Sequence, residues 1–225
     1  MDSPPPPANP DSSPKFRRRA EARPDEVLDA ALDLFTRKGF AHTTVEQVAR
    51  KAGLSKAAVY LYFPSKKALL AGLVQRAVVP IADLALDQIA RFRGDPRPLI
   101  RQLLALFAER MREPSVSAVP KLVLREAVVA PEIARMYRTE VLDRVIPALG
   151  ALIAQGVAGG HLRAVDPELT VRSLLGPVLM HILLDEVFSI RPAAGQTSDH
   201  GLEALIDNHL SLLFAGLEPL RKDSA

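Results

Sequence analysis

Residues 43–63 read TTVEQVARKAGLSKAAVYLYF, and this stretch decides the fold. Its apolar residues have helical spacing on both sides of Gly53, which can adopt the positive φ of a tight turn. We expect Thr43 and Glu46 to form a capping box on the first helix and Ser55 to cap the second. Two short helices joined by such a turn are typical of a helix-turn-helix, whose second helix enters the major groove of DNA.

The second helix of this pair is expected to expose Lys56, Ala57, Ala58 and Tyr60 near its N-terminal end. A cation and small side chains allow close approach to base edges, whereas tyrosine hydroxyls can donate to phosphates. Residues 15–67 carry 12 Lys and Arg against 6 Asp and Glu, a net charge of +6, which indicates an anionic partner. Charge alone leaves both nucleic acid and a membrane surface open.

The rest of the chain is also predicted to be helical. A first helix starts near Pro24 and ends at Lys38 and Gly39, which supply a cationic last turn and a left-handed cap. Gly and Pro residues separate the later segments, so we predict an all-α chain of roughly nine helices. These segments are 44–51, 55–61, 65–90, 97–112, 116–129, 132–158, 167–189 and 202–217. The prolines expected to kink or split their helices are Pro80, Pro120, Pro147 and Pro177.

The pattern T-T-x-E-Q-V-A-x-x-A-G-L-S-x-x-x-V-Y-x-Y-F-x-S-K-x-x-L resembles the DNA-binding domain of the TetR/AcrR family of transcriptional regulators. The preceding A-x-x-L-F-x-x-K-G-F is similar to the first helix of that family. The resemblance covers about residues 24–75. It implies a homodimer that binds a palindromic, double-stranded DNA operator.

The resemblance also implies roles for positions within the motif. Tyr60, Tyr62 and Lys66 would contact phosphates, and Lys56 and Ala58 would face base edges. Because the family usually has Gly or Thr where this chain has Ala57 and Ala58, base specificity is expected to depend heavily on Lys56. The positions implied at DNA are Thr43, Thr44, Ser55, Lys56, Ala57, Ala58, Tyr60, Tyr62 and Lys66.

Residues 122–145, LVLREAVVAPEIARMYRTEVLDRV, resemble more loosely a segment of the C-terminal half of the family's efflux-pump regulators. The resemblance implies pairing of two copies through about 167–189 and 202–217. It also implies a small apolar or amphipathic effector that weakens DNA binding, which requires different affinities for two states. The residues interpreted as a candidate pocket are Phe107, Met111, Tyr137, Met180 and His181.

Several of these interpretations have alternatives. His181, one turn before Asp185, is explained more simply as a satisfied polar residue of the core or dimer interface. Pro80 is explained more simply as a kink that the packing of the helices requires. The alternative hypothesis is that this kink lies where a helix of the pocket transmits motion to the DNA-binding domain. Arg17–Arg19 are either solvated charge or an arm in the minor groove, and they would increase salt dependence. The alternative function is a DNA-binding regulator without a small-molecule effector, either a constitutive repressor or an activator.

We divide the chain into four predicted parts. Residues 1–22 are expected to be a disordered basic arm, and 219–225 a short tail. Residues 23–68 form the predicted helix-turn-helix domain, called the head below. Residues 69–218 form the predicted effector-binding and dimerisation domain, called the C-terminal half.

Composition excludes or disfavours other classes of protein. The chain has no Cys, which excludes disulfides, thiolate metal sites and cysteine nucleophiles. Its five His include no H-E-x-x-H pair, and the four carboxylates of residues 25–33 are expected to form a solvated face. We therefore predict no metal, no cofactor and no enzymatic activity. An acidic, Pro-rich N-terminus and an uncharged run at 145–162 broken by Pro and Gly favour a soluble cytoplasmic protein without a transmembrane span.

Overall fold

The structure, a computed structural model, describes the backbone of residues 15–128, 130–186, 188, 190 and 201–218, and their side chains except at 15–22 and 185–186. Within these ranges the chain is helical without a strand, so the predicted all-α class is confirmed. The helices are α1 (Lys15–Lys38), α2 (Val45–Lys51), α3 (Lys56–Tyr62), α4 (Lys66–Ala77), α5 (Val79–Arg91), α6 (Pro96–Met111), α7 (Pro114–Ala127), α8 (Pro131–Tyr137), α9 (Asp143–Ala158), α10 (Pro167–Glu186) and α11 (Leu202–Leu217). A π-helical turn, Arg138–Leu142, joins α8 to α9. Some predictions concern parts of the chain that lie outside the described residues. These parts are the segments 1–14 and 219–225 and the side chains of Arg17–Arg19 and Asp185.

α1 is longer than predicted, since it begins at Lys15 rather than near Pro24. Residues 15–23 are rich in Arg, Ala, Lys and Glu, which are good helix formers and favour an earlier start. Pro24 then lies inside the helix, where it removes one backbone hydrogen bond. The prediction of disorder is therefore wrong for the backbone of 15–22.

The predicted helix 65–90 is split into α4 and α5, as expected from Pro80. The two helices meet at Val78 with a bend of 45°. A proline ring has no N–H and clashes with the carbonyl four residues earlier, which ends the regular bonding of α4. The prolines that lie inside an unsplit helix are Pro120, Pro147 and Pro177.

Buried apolar side chains form two clusters. The first cluster contains side chains from α1, α2, α3, α4 and α5, and from α7, α8 and the π-helical turn. It includes Phe35 and Ile133. The second joins α5, α6, α9, α10 and α11, and it includes Leu104 and Leu210. The first cluster therefore extends from the head into the C-terminal half, so that α7 and α8 pack with the helices that position the helix-turn-helix.

One helical stretch among the described residues, Pro131–Ala158, is long and apolar enough to cross a membrane by length and composition alone. Its contacts account for its apolar residues in another way. α9 packs against α5, α6 and α10 and buries Leu149, Leu152 and Ile153 in the second cluster. These contacts bury part of the apolar surface of the stretch inside the protein.

Candidate DNA interface

Thr44 caps α2, one residue later than predicted. The Thr44 hydroxyl oxygen accepts a hydrogen bond from the Gln47 backbone N–H at 3.2 Å, and the Gln47 side-chain oxygen accepts one from the Thr44 backbone N–H at 3.1 Å. The prediction of a Thr43–Glu46 box is therefore wrong. Both pairs have the spacing of a capping box, and the neighbouring backbone decides between them.

Thr43 is fully buried, with 0% of its surface exposed. Its hydroxyl lies 2.9 Å from the Gly39 carbonyl oxygen and 3.3 Å from that of Leu34, both at the end of α1. A side chain in this position cannot contact DNA, so the assignment of Thr43 to the interface is corrected. Its hydroxyl instead holds the loop that enters α2.

The turn between α2 and α3 has the geometry that the sequence predicts. Gly53 has a φ of +67°, and the Ser55 hydroxyl oxygen accepts a hydrogen bond from the Ala58 backbone N–H at 3.1 Å. Ala49 is buried where the two helices cross, and the buried side chains of Val48 and Val59 belong to the first cluster. α3 is therefore held against α2 by its inner face while its outer face remains free.

Three aspartates of α1 are paired with cations. Asp33 lies 2.8 Å from the Lys51 amine, which ties α2 to α1, and this hydrogen bond lowers the pKa of the Asp33 carboxyl. Asp25 and Asp29 both face Arg76 of α4, at 3.4 and 2.7 Å. Among the described residues, no group of three or more His, Asp or Glu side chains is placed to hold a metal ion.

The outer face of α3 exposes Lys56, Ala57 and Tyr60, as predicted, and also Tyr62. Ala58 is predicted to be exposed but is half-buried. The Lys56 amine lies 6.0 Å from the centre of the Tyr60 ring, so a cation and an aromatic hydroxyl share one surface. Leu61, which the sequence analysis missed, is 85% exposed. Helical periodicity predicts this exposure, because a residue two positions after buried Val59 is rotated by about 200° around the helix axis, away from the core.

Lys66 has protein partners at its amine. The amine donates to the carbonyl oxygens of Phe40 at 2.7 Å and Ala41 at 3.1 Å, and it lies 4.5 Å from the centre of the Phe40 ring. Burial lowers the pKa of this amine, and the charge of nearby Glu126 opposes the change. The phosphate contact of Lys66 stays a prediction, and its observed role is to hold the loop between α1 and α2.

The residues predicted to line an effector pocket lie in different surroundings. Phe107 and Met111 pack against the second cluster, whereas Tyr137 packs against the first, where burial raises its pKa to about 12. Met180 is 51% exposed on the outside of α10, and the next residue, His181, is half-buried. These positions do not form one common lining.

Two surface clefts of the described structure lie elsewhere. A cleft of about 370 Å³ is bordered by Arg93, Gln155 and His161, where the α5–α6 loop approaches the end of α9. A second cleft, of about 220 Å³, is bordered by Thr36 of α1 and Arg125 of α7. Neither contains a residue that was predicted to bind an effector.

α10 and α11 expose large apolar side chains on the outside of the C-terminal half. On α10 these are Leu169, Leu179 and Met180, and on α11 the exposed residue is Leu212. Residue 176, between the exposed leucines of α10, is an exposed glycine. Leu169, the glycine at 176 and Met180 lie on one side of α10, because they are seven and four residues apart, and an exposed apolar strip marks a surface that another molecule can cover. We call this side of α10, together with Leu212 of α11, the outer face. Met180 belongs to this outer face.

Comparisons with known proteins identify the family. The family model described as "Bacterial regulatory proteins, tetR family" matches residues 27–73. The one described as "Tetracyclin repressor-like, C-terminal domain" matches residues 93–195. The HTH-type transcriptional regulator RutR of Escherichia coli strain K12 is 34% identical over 157 residues, which are 68% of this chain and 71% of RutR.

Solved structures have the same fold. A complex of SmeT with triclosan has a TM-score of 0.73 at 22% identity, over 90% of this chain and 93% of that one. SmeT is described as the repressor of the Stenotrophomonas maltophilia multidrug efflux pump SmeDEF. PfmR from Thermus thermophilus has a TM-score of 0.63 at 28% identity, over 85% of this chain and 98% of that one. The chain therefore belongs to the TetR family of helix-turn-helix, DNA-binding transcriptional regulators, which are not enzymes.

Proposed function

We propose that this regulator is a cytoplasmic repressor that occupies a palindromic operator as a homodimer and leaves it when a small apolar or amphipathic effector binds. The observation that carries the proposal is the exposed end of α3, where Lys56 and Ala57 follow the Ser55 cap. Small side chains beside one cation let the helix approach base edges closely. Thr44, Tyr60 and Tyr62 are exposed and are candidate phosphate contacts.

The outer face of α10 and α11 supports the homodimer. Leu179 and Met180 on α10 and Leu212 on α11 are apolar and exposed, and the glycine at 176 permits a partner helix to come close. Pairing two copies about a two-fold axis would present two α3 helices to DNA. A symmetric dimer reads two half-sites in opposite orientation, which makes the operator palindromic.

The effector is supported by similarity to SmeT, whose solved complex contains triclosan. Triclosan is small and largely apolar, which fits the chemistry expected for an effector of the C-terminal half. One observation favours the alternative, a regulator without an effector. Phe107 and Met111 pack against the second cluster, so an effector near them requires a state in which the cluster opens.

The DNA part of the proposal is tested by selection from genomic fragments. The purified chain is mixed with the fragments at physiological salt, and the stoichiometry of the recovered complex is measured by light scattering. We expect one palindromic site bound by a dimer or a pair of dimers. Binding that depends on salt but has no sequence preference would contradict the proposal, because it would reflect phosphate contacts alone.

The effector part is tested on the operator so recovered. A panel of small apolar and amphipathic compounds, triclosan among them, is added while operator affinity and thermal stability are both measured. An effector should stabilise the free protein and weaken operator binding, since it prefers one of two states. If compounds bind without changing operator affinity, or if none binds, the regulator without an effector is the better description.

A further inference from the structure

Two adjacent residues of α7 hold the end of α1 and the loop that follows it. The Arg125 guanidinium donates a hydrogen bond to the Phe35 carbonyl oxygen at 3.1 Å. The Glu126 carboxylate accepts one from the Phe40 backbone N–H at 3.1 Å. A cation thus meets the carbonyl end of α1, and an anion meets an amide just beyond it, which is the favourable polarity for both groups.

Glu126 is unusual because it is a carboxylate with only 6% of its surface exposed. Burying such a group is costly unless it is paired and hydrogen-bonded. Here the Phe40 N–H supplies the hydrogen bond, and the Arg125 Nε atom lies 3.6 Å from the same carboxylate oxygen. The head and the C-terminal half therefore share a polar contact inside the first cluster.

Gly39 makes room for this contact. Its φ is +83°, and a Cβ at this residue would lie 3.3 Å from the Glu126 Oε1 atom. On the other side, the Lys66 amine donates to the carbonyl oxygens of Phe40 and Ala41. Phe40 is consequently joined to α7 through its N–H and to α4 through its C=O. We call the side chains of Arg125 and Glu126 the α7 clasp.

α7 is also in contact with the rest of the C-terminal half. It packs against α6 and α10 as well as against α1, α4 and α8. A shift of α7 would therefore be transmitted to the end of α1, and through Phe40 to the loop that leads into α2. Hydrogen bonds are directional, whereas apolar packing is not, so the clasp restrains orientation more than the surrounding cluster does.

We propose that Arg125 and Glu126 are positioning residues that fix the orientation of the head on the C-terminal half and so set the separation of the two α3 helices in a dimer. This inference rests on the proposed function for its consequence at the operator. Its structural part concerns a single chain and is measured without DNA.

The first experiment measures the distance between the head and the C-terminal half. Because the chain has no Cys, Arg50→Cys in α2 and Glu109→Cys in α6 place two spin labels at exposed positions. Labelled chains are diluted with unlabelled chains so that only distances within one chain are recorded. We expect Glu126→Leu and Arg125→Met to shift and broaden the distance distribution.

Two controls separate orientation from general loss of structure. Glu126→Gln keeps an oxygen that accepts the Phe40 N–H, and it should give the wild-type distribution. Glu203→Leu removes a carboxylate that is paired with Arg112 within the C-terminal half, and it should leave the distribution unchanged. Arg125→Met, at a half-exposed side chain, provides the test should Glu126→Leu not fold.

The second experiment measures affinity for palindromic operators in which base pairs are inserted or deleted between the half-sites. The wild type should prefer one spacing, and Glu126→Leu should lose part of that preference while Glu126→Gln keeps it. A purely structural role would lower affinity equally at every spacing. Unchanged distance distributions and unchanged spacing preference in both clasp variants would overturn the inference. A wild type that binds no palindrome would instead contradict the proposed function, with the distance measurement still deciding on the clasp.

Discussion

The head and the outer helices of the C-terminal half differ in what their exposed surfaces carry. In the head, the N-termini of α2, α3 and α4 are capped by the side chains of Thr44, Ser55 and Ser65. Each hydroxyl oxygen accepts a hydrogen bond from the backbone N–H three residues later. α10 is capped in the same way, since the Asp166 carboxylate accepts a hydrogen bond from the Leu169 N–H at 2.9 Å, whereas α11 follows Gly201 without a side-chain cap. The difference lies in the exposed surface: the outer helices expose Leu179, Met180 and Leu212, apolar surface for a partner that we propose is a second copy, whereas the head exposes Lys56 beside the tyrosines of α3.

The largest expected effect comes from a charge on the outer face. Leu179→Glu would bury a carboxylate in the proposed dimer interface, where no partner compensates its desolvation. We expect a monomer by light scattering. Operator affinity should fall by about 100-fold or more, because two linked α3 helices bind much more tightly than one.

Leu84→Glu is the matched control for this variant. Leu84 is also an exposed leucine, but it lies on α5 rather than on the outer face. This variant should remain dimeric and bind the operator like the wild type. A dimeric Leu179→Glu variant with normal affinity would show that the apolar face has another use.

A smaller effect is expected at the tip of α3. Lys56→Ala removes the cation predicted to face base edges, which should cost about 1–3 kcal/mol in operator binding. The loss should be larger on the selected operator than on random DNA of the same length. Lys38→Ala is the control, because it removes the same charge at an exposed lysine outside the helix-turn-helix. It should have little effect on the affinity for the selected operator or for random DNA. Equal losses on both DNAs for Lys56→Ala would assign Lys56 to a phosphate.

The cap of α2 should have a still smaller effect, which is measured as the stability of the protein without DNA. Thr44→Ala removes the side chain that accepts the Gln47 N–H, which should lower the free energy of unfolding by about 1 kcal/mol in urea. Glu46→Ala would cost as much if the box were Thr43–Glu46. In the observed arrangement it removes only a carboxylate near the helix N-terminus, for which we expect a few tenths of a kcal/mol.

The local features of the head are the ones that the sequence predicts well. The positive φ of Gly53 and the Ser55 cap depend on neighbours within a few residues, and both predictions are confirmed. The cap of α2 is missed by one residue, because Thr43 and Thr44 each have an acidic or amide residue three positions later. Only the path of the backbone out of α1 distinguishes them.

The C-terminal half is predicted less well, for a physical reason. α10 has apolar residues on most of its sides, so helical periodicity does not show which side meets the core. Met180 is therefore assigned to a pocket although it lies on the outer face. The bond between Glu126 and Phe40 joins residues 86 positions apart, and no local pattern announces such a contact. The sequence alone therefore does not predict which helices of the C-terminal half are in contact.

The smallest effect tests whether the first cluster, which includes side chains of the head, reaches Tyr137 on α8. Burial raises the pKa of Tyr137 from 10.0 to about 12, so the neutral phenol is favoured in the folded state. Below pH 10 the residue is neutral in both states and stability does not depend on it. As the pH rises from 10 towards 12, the unfolded chain loses the proton first, and stability falls. Phenolate absorbance of the wild type minus that of Tyr137→Phe should therefore appear near pH 12 while circular dichroism still shows a folded chain. A difference that titrates near pH 10 in the folded protein would place Tyr137 in water rather than against the first cluster.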